Sequence, residues 1–227
     1  MVQKKTPASP PRPPAPPAEA AAPRRRGRPR AFEPDVALER ALQTFRDSGF
    51  AATSLDDLSA AMGINRPSLY SAFGDKRELF LKAYARYRAD VGARFTRAFD
   101  PALTLRQSLQ QIFATAIELY TAGDNGPQGC FTVMTAGSEA MADAEIREAV
   151  QRALGRTDKS VAALFERAIA RGELPPGTDL PLMVQLVGST IVTLAVRSRA
   201  RFPRAELDAL GARMVDLVAP EPSRAPR

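Results

Sequence analysis

From Pro34 to Val218 the apolar positions recur at three- and four-residue spacing, and no alternating run competes with them, so the chain predicts helices only. The first stripe, Leu38, Ala41, Leu42 and Phe45, falls at i, i+3, i+4 and i+7 of a helix that begins at Pro34 and ends at Gly49. The stretch Thr53 to Lys76 then reads as two short helices and a tight turn. Ser54 with Asp57 forms a capping box, and Leu55, Leu58, Ala61 and Met62 share one face. Gly63 supplies the left-handed residue that stops this helix; Asn65 caps the next, with Pro67 tolerated in its first turn. Leu69 and Phe73 face inward there, which turns Arg66, Ser68, Tyr70 and Ser71 outward, as a recognition helix presents side chains to a major groove.

After Gly74, Asp75 and Glu78 cap a long helix whose apolar stripe (Phe80, Ala83, Tyr84, Tyr87, Val91, Phe95) persists to about Asp100. Thr104 and Gln107 form a third capping box ahead of Leu105, Leu109, Ile112, Phe113, Ala116, Ile117 and Tyr120. A loop over 121–128 leads to a short helix from about Gly129 to Met141. A long helix follows from Asp143 to Arg171, carrying Ile146, Val150, Leu154, Val161, Leu164, Phe165 and Ile169. From Leu182 to Val196 the chain is apolar nearly all round, which a surface helix would not be. That helix and the one bearing Leu207, Leu210, Met214 and Leu217 suit a four-helix interface between two subunits. The fold class is therefore all-α. An N-terminal three-helix helix-turn-helix DNA-binding domain (32–80) is joined by a long helix to a helical dimerisation domain (81–219), between a basic arm (1–31) and a flexible tail (220–227).

The helix-turn-helix stretch is also similar to a known family. Gly49-Phe50, Thr53-Ser54, Ala60 to Asn65, Leu69-Tyr70, Phe73 and Lys76 with Leu79 resemble the DNA-binding signature of the TetR family of bacterial transcriptional regulators, without gaps over about fifty residues from Phe32 to Tyr84. Asn65 stands where serine is common in the family, and it caps equally well. The resemblance implies a homodimer on a palindromic operator, double-stranded DNA being the partner, and release by a small-molecule effector, which makes the helical domain (81–219) the effector-binding domain as well. It also implies that Lys76, at a helix N-terminus where phosphate is favoured, contacts the DNA backbone. Thr53, Ser54, Asn65, Arg66, Pro67, Ser68 and Tyr70 complete the DNA-binding set expected in the folded part. Two recognition helices about 34 Å apart would enter successive major grooves.

Charge changes the picture at the N-terminus. Of the 227 residues, 32 are basic and 25 acidic, a net of +7. Residues 1–31 carry eight basic side chains against Glu19 alone, so this arm holds all the excess and the remainder sums to zero. Rich in proline and alanine and poor in core-forming residues, the arm is expected to be disordered in isolation. Within it, Arg26-Gly27-Arg28-Pro29-Arg30 resembles an AT-hook, in which arginines enter a narrow A·T-rich minor groove. The alternative for the arm is a solvated basic tail that serves only solubility, or a processing segment; the alternative for the whole chain is a sequence-tolerant architectural DNA binder driven by the arm.

Composition narrows the chemistry. With no His and one Cys, the chain lacks the commonest general base and cannot assemble a Cys-rich metal site, so it reads as no enzyme, with no metal and no cofactor. No run of about 18 uninterrupted apolar residues marks a membrane span or a leader, which leads to a cytoplasmic expectation. Phe95, Phe113, Tyr120, Phe131, Met134 and Phe165 are the candidates for an effector cavity, with Thr135, Ser138 or Glu139 as polar handles; the same stripe is equally how helices pack. Cys130 is the one redox candidate, against the bland reading of a small buried apolar residue.

Overall fold

The local signals set the helix ends. The computed structural model describes residues 32–123 and 126–220, and its elements there are ten helices and one 3-10 turn, with no strand. Helix α1 spans Pro34–Ala52, with proline in its first turn and Ala37, Ala41, Leu42 and Phe45 buried. Gly49 breaks its run at φ 79 and ψ 167, and Phe50 turns back to lie 6.1 Å from Phe45 and 5.2 Å from Phe80, ring to ring. Helix α2, Leu55–Met62, opens on a reciprocal capping box between Ser54 and Asp57 and closes on Gly63 at φ 68. Helix α3, Arg66–Phe73, is capped by Asn65, whose side chain accepts the Ser68 amide at 2.9 Å. Helix α4, Lys76–Phe95, begins with the Asp75–Glu78 capping box.

Downstream the same signals hold, with two departures. The connecting helix loosens into a 3-10 turn at Thr96–Phe99, so α4 is shorter than the stripe to Asp100 suggests. Helix α5 (Leu105–Thr121) has the Thr104–Gln107 box. The helix expected from Gly129 to Met141 is two pieces, α6 (Phe131–Gly137) and α7 (Glu139–Ala142), split at Ser138. The Ser138 hydroxyl donates to the Met134 carbonyl at 3.0 Å, a local bond that competes with the helical ladder. Helix α8 (Ala144–Ala170), capped by Asp143, α9 (Leu180–Arg199) and α10 (Arg204–Val218) complete the chain. Leu154 of α8, expected inward, is exposed.

The described residues from Phe32 to Pro220 form one compact unit with two apolar clusters. The first gathers α1 to α4 around Phe45, Leu58, Leu69 and Phe80. It does not stop at residue 80. Tyr84 and Tyr87 belong to it, as do Phe131 of α6 and Ile146, Val150 and Ala153 of α8. Phe131 lies 5.5 to 5.9 Å from the rings of Phe80, Tyr84 and Tyr87, so α6 plugs directly into the base of the helix-turn-helix core. The second cluster packs α5, α9 and α10 with the later turns of α8, from Val161 to Ala168. In α10, Gly211 lets the backbone approach α5: a Cβ there would sit 3.1 Å from Cβ of Phe113.

Helix α9 buries Val187 and Leu194 completely but leaves Leu182, Val192 and Val196 exposed. By length and composition alone it could cross a bilayer, with a mean hydropathy of 1.6 over 18 residues, although Gln185, Ser189, Thr190 and Thr193 interrupt its apolar run. Thr190 and Thr193 donate their hydroxyls to the carbonyls of Leu186 and Ser189, which satisfies these polar groups within the helix.

Candidate nucleic-acid interface

The outward face of α3 is set by what holds its inner face. Leu69 is fully buried and Phe73 nearly so, while Arg66, Pro67, Tyr70 and Ser71 are exposed and Ser68 is half-buried. Tyr70 presents a large ring that is about half exposed on this surface. At the far end, Gly74 takes φ 84 and Lys82 of α4 donates Nζ to the Phe73 carbonyl at 2.7 Å, which seals the C-terminus of α3. The helix is therefore fixed at both ends by neighbours and bare along the middle.

Arg66 opens α3 and is not a free cation. Its Nε and Nη2 donate to the two carboxylate oxygens of Asp56 in α2, at 2.8 and 2.6 Å. The carboxylate pushes the guanidinium pKa above its ordinary value, so Arg66 keeps its charge throughout. Asp56 was not singled out in the sequence. Ten residues separate it from Arg66, and only the turn through Gly63 brings them together.

The other expected contacts fall into two groups. Ser54 and Asn65 are exposed but already act as caps, Ser54 accepting the Asp57 amide at 3.1 Å. Thr53 is buried, and its hydroxyl donates to the Gly49 carbonyl at 2.6 Å; this side chain braces the corner between α1 and α2 rather than facing outward. Lys76 starts α4 as expected, with its ammonium 4.4 Å from the centre of the Phe50 ring. Burial lowers its pKa, and the ring face offers partial compensation for the lost water. Arg26, Arg28 and Arg30, with the rest of the arm, lie outside the described residues.

Five of the six aromatic and methionine candidates are divided between the two apolar clusters. Phe95, Phe113, Tyr120 and Phe165 pack in the second cluster and Phe131 in the first, while Met134 is partly covered, with its sulfur 2.9 Å from Nη1 of Arg199. Elsewhere among the described residues, a cavity of about 390 Å³ is lined by Arg94, Arg97, Gln111, Ala114, Thr115 and Glu118, and another of about 360 Å³ lies beside Arg46 and Arg201. The polar handles are also engaged. Thr135 donates to the Phe131 carbonyl at 2.8 Å, and Glu139 accepts the Phe50 amide at 3.0 Å. Cys130 is buried, its sulfur 3.5 Å from the Tyr87 hydroxyl. Burial, reinforced by Cys130, raises the pKa of Tyr87 and of Tyr120 well above the ordinary phenol value. Among the described residues no cluster of three or more metal-ligating side chains occurs.

Known proteins place this architecture. The family described as bacterial regulatory proteins, tetR family, matches residues 37–83, and the tetracyclin repressor-like C-terminal domain matches residues 101–214. The HTH-type transcriptional repressor ComR of Escherichia coli is 28% identical over 175 residues, covering 77% of this chain and 83% of its own. The repressor BdcR of the same organism is 44% identical over 61 residues, 27% of this chain and 31% of its own. A cysteine-substituted form of the TetR family regulator CifR, solved with 26 bp of operator DNA, is 32% identical, with a TM-score of 0.75 over 83% of this chain and 98% of that one. The two family matches divide between them the helix-turn-helix and the helical remainder, and the chain belongs to the TetR family of bacterial transcriptional regulators.

Proposed function

We propose that this chain is a homodimeric transcriptional repressor that reads a palindromic operator with α3 and is released by a small-molecule effector. The observation that carries the reading is the bare middle of α3: Arg66, Ser68, Tyr70 and Ser71 face away from a core that fixes Leu69 and Phe73. A helix held this way can enter a major groove with its side chains already oriented. ComR is named a repressor and CifR was solved on operator DNA, which supports the same role here.

Each further part has its own support. The exposed Leu182, Val192 and Val196 of α9, with Leu217 of α10, offer an apolar surface for a two-fold partner. Phe131 and Glu139 join the middle of the chain to the base of the helix-turn-helix, so a ligand that shifts α6 or α7 would tilt α1 and α4. The effector acts in the helical domain, with a coupling of about 1–3 kcal/mol between the two sites. The arm adds minor-groove contacts through Arg26, Arg28 and Arg30. Lys76 and Tyr70 contact phosphates, Arg66 and Ser68 read bases, and Thr53, Ser54, Asn65 and Pro67 hold the reading unit in place. The protein works in the cytoplasm, where its DNA is.

The test is a binding titration against the DNA upstream of its own gene and a scrambled fragment at two salt concentrations. Affinity tighter by about a thousandfold or more for the native fragment is expected. Equal, steeply salt-dependent binding to both would overturn the reading in favour of an architectural protein driven by the arm.

A further inference from the structure

Three elements meet around a cavity of about 360 Å³: the last turns of α1, through Arg46 and Asp47; the segment 126–128; and the corner after α9, through Arg199 and Arg201. The volume suits a small metabolite, for which about 300–1,000 Å³ is usual. Its lining is cationic. Three arginines and one aspartate line it, and that carboxylate is engaged by amides: Oδ1 of Asp47 accepts from Gln43 at 3.0 Å and from Gln128 at 2.9 Å.

The arginines are placed, not merely near one another. Arg199 is anchored by donating Nη1 to the Gln128 carbonyl at 3.1 Å. Arg46 lies over the Tyr87 ring, 5.6 Å from its centre. Among the described residues, neither Arg46 nor Arg201 has a carboxylate partner.

Arg201 carries a second, independent observation. It is the one non-glycine residue with positive φ (62°) among those described, in a left-handed conformation that ordinarily selects glycine. Its amide closes the α9 corner onto the Ser198 carbonyl at 2.8 Å. Its guanidinium reaches back to Gly126, where an added Cβ would lie 3.5 Å from Nη2. A glycine would satisfy the corner at lower strain, whereas arginine brings a cation to the rim of the cavity. Strain of this kind, held by the surrounding structure, is a mark of a functional position.

We propose that this cavity binds a small polyanion, a phosphate ester or a polycarboxylate, gripped by Arg46 from one side and by Arg199 and Arg201 from the other. Guanidinium forks match both kinds of oxyanion, and opposed forks favour a ligand with at least two negative charges. Such a ligand would tie α1, which supports the recognition helix, to the end of α9. The inference goes beyond the operator reading and does not depend on it.

Calorimetry and thermal unfolding of the full chain test it, with sodium pyrophosphate and sodium citrate as probes against sodium chloride at matched ionic strength. Saturable heat and a rise in Tm are expected for the wild type and for Arg94→Gln, which alters the other cavity. Arg46→Gln and Arg201→Gln are each expected to weaken binding by about tenfold or more, the worth of one charge-assisted pair. Tighter pyrophosphate binding identifies a phosphate ester, and tighter citrate binding a polycarboxylate. If Arg46→Gln fails to fold, Arg201→Gln alone decides. The proposal is overturned if the wild type responds to both probes only as it does to chloride. It is equally overturned if Arg201→Gln binds as tightly as the wild type, because the intact basic arm would then account for the signal.

Discussion

Arg66 and Asp56 face each other across the helix-turn-helix turn, joined by two parallel hydrogen bonds of 2.8 and 2.6 Å. The pair uses the Nε and Nη2 edge of the guanidinium and leaves Nη1, with the second Nη2 proton, as a free fork. A fork of that kind matches O6 and N7 of guanine. Arg66→Ala is expected to lower discrimination at one position of each half-site by on the order of tenfold. Asp56→Ala, which releases the guanidinium, is expected to blur the same position while strengthening binding to unrelated DNA, since a negative charge leaves the interface. Competition binding with a panel of single-base operator variants measures both. An unchanged preference in Asp56→Ala would show that Asp56 does not orient the reader.

The Phe50 amide, just past the break at Gly49, is satisfied from 89 residues away by Oε1 of Glu139. Glu139→Ala leaves that half-buried donor without its partner, at a cost of about 1–3 kcal/mol of stability. Glu139→Gln keeps an acceptor and is expected to recover most of it. Urea unfolding should register the loss as a lower midpoint with an unchanged m-value. An unaltered midpoint in Glu139→Ala would remove this bond from the link between α1 and α7.

Tyr87 and Tyr120 are held neutral by burial, with pKa values raised well above those they have in the unfolded chain. Between the unfolded and folded values the unfolded state binds fewer protons than the native state, so stability falls as pH rises. The contribution of these phenols is thus fully present below about pH 10 and is lost above it, with a slope of up to about 1.4 kcal/mol per pH unit for each group. Tyr87→Phe is expected to flatten the alkaline limb. It should also lower the neutral plateau, because the Phe131 amide loses its acceptor at 3.2 Å. Denaturant midpoints from pH 8 to 11.5, followed beside phenolate absorbance, decide the matter; an alkaline limb of unchanged slope in Tyr87→Phe would contradict it.

Val196 and Leu217 are 54% and 65% exposed on the last two long helices. Val196→Glu and Leu217→Glu are expected to leave the helical content intact, halve the mass seen by light scattering and abolish tight operator binding. A dimer that survives both substitutions would place the subunit interface on another surface.

Much of the architecture was legible because its signals are local. The capping pairs Ser54 with Asp57, Asp75 with Glu78 and Thr104 with Gln107 act over three residues, and Gly63 ends its helix through its own backbone freedom. The inward set of α3, Leu69 and Phe73, follows from helical period alone, and it fixed which side chains of α3 would be outward. The recognition unit could therefore be placed to within a residue or two.

What the sequence by itself determined, then, was the order of helices, the outward face of α3 and the concentration of positive charge in the first 31 residues. Those properties depend on residue type and on neighbours within a turn or two. Tertiary structure alone decided that Asp56 holds Arg66, that Thr53 is buried, that the helix after Cys130 breaks at Ser138, and that Phe131 belongs to the helix-turn-helix core. It alone brought Arg46 and Arg201 to one cavity and divided the aromatic candidates between two clusters. The pairings of Asp56 with Arg66, Phe80 with Phe131 and Arg46 with Arg201 join residues ten to more than a hundred apart, and a helical period carries no information about which face of one helix another will meet.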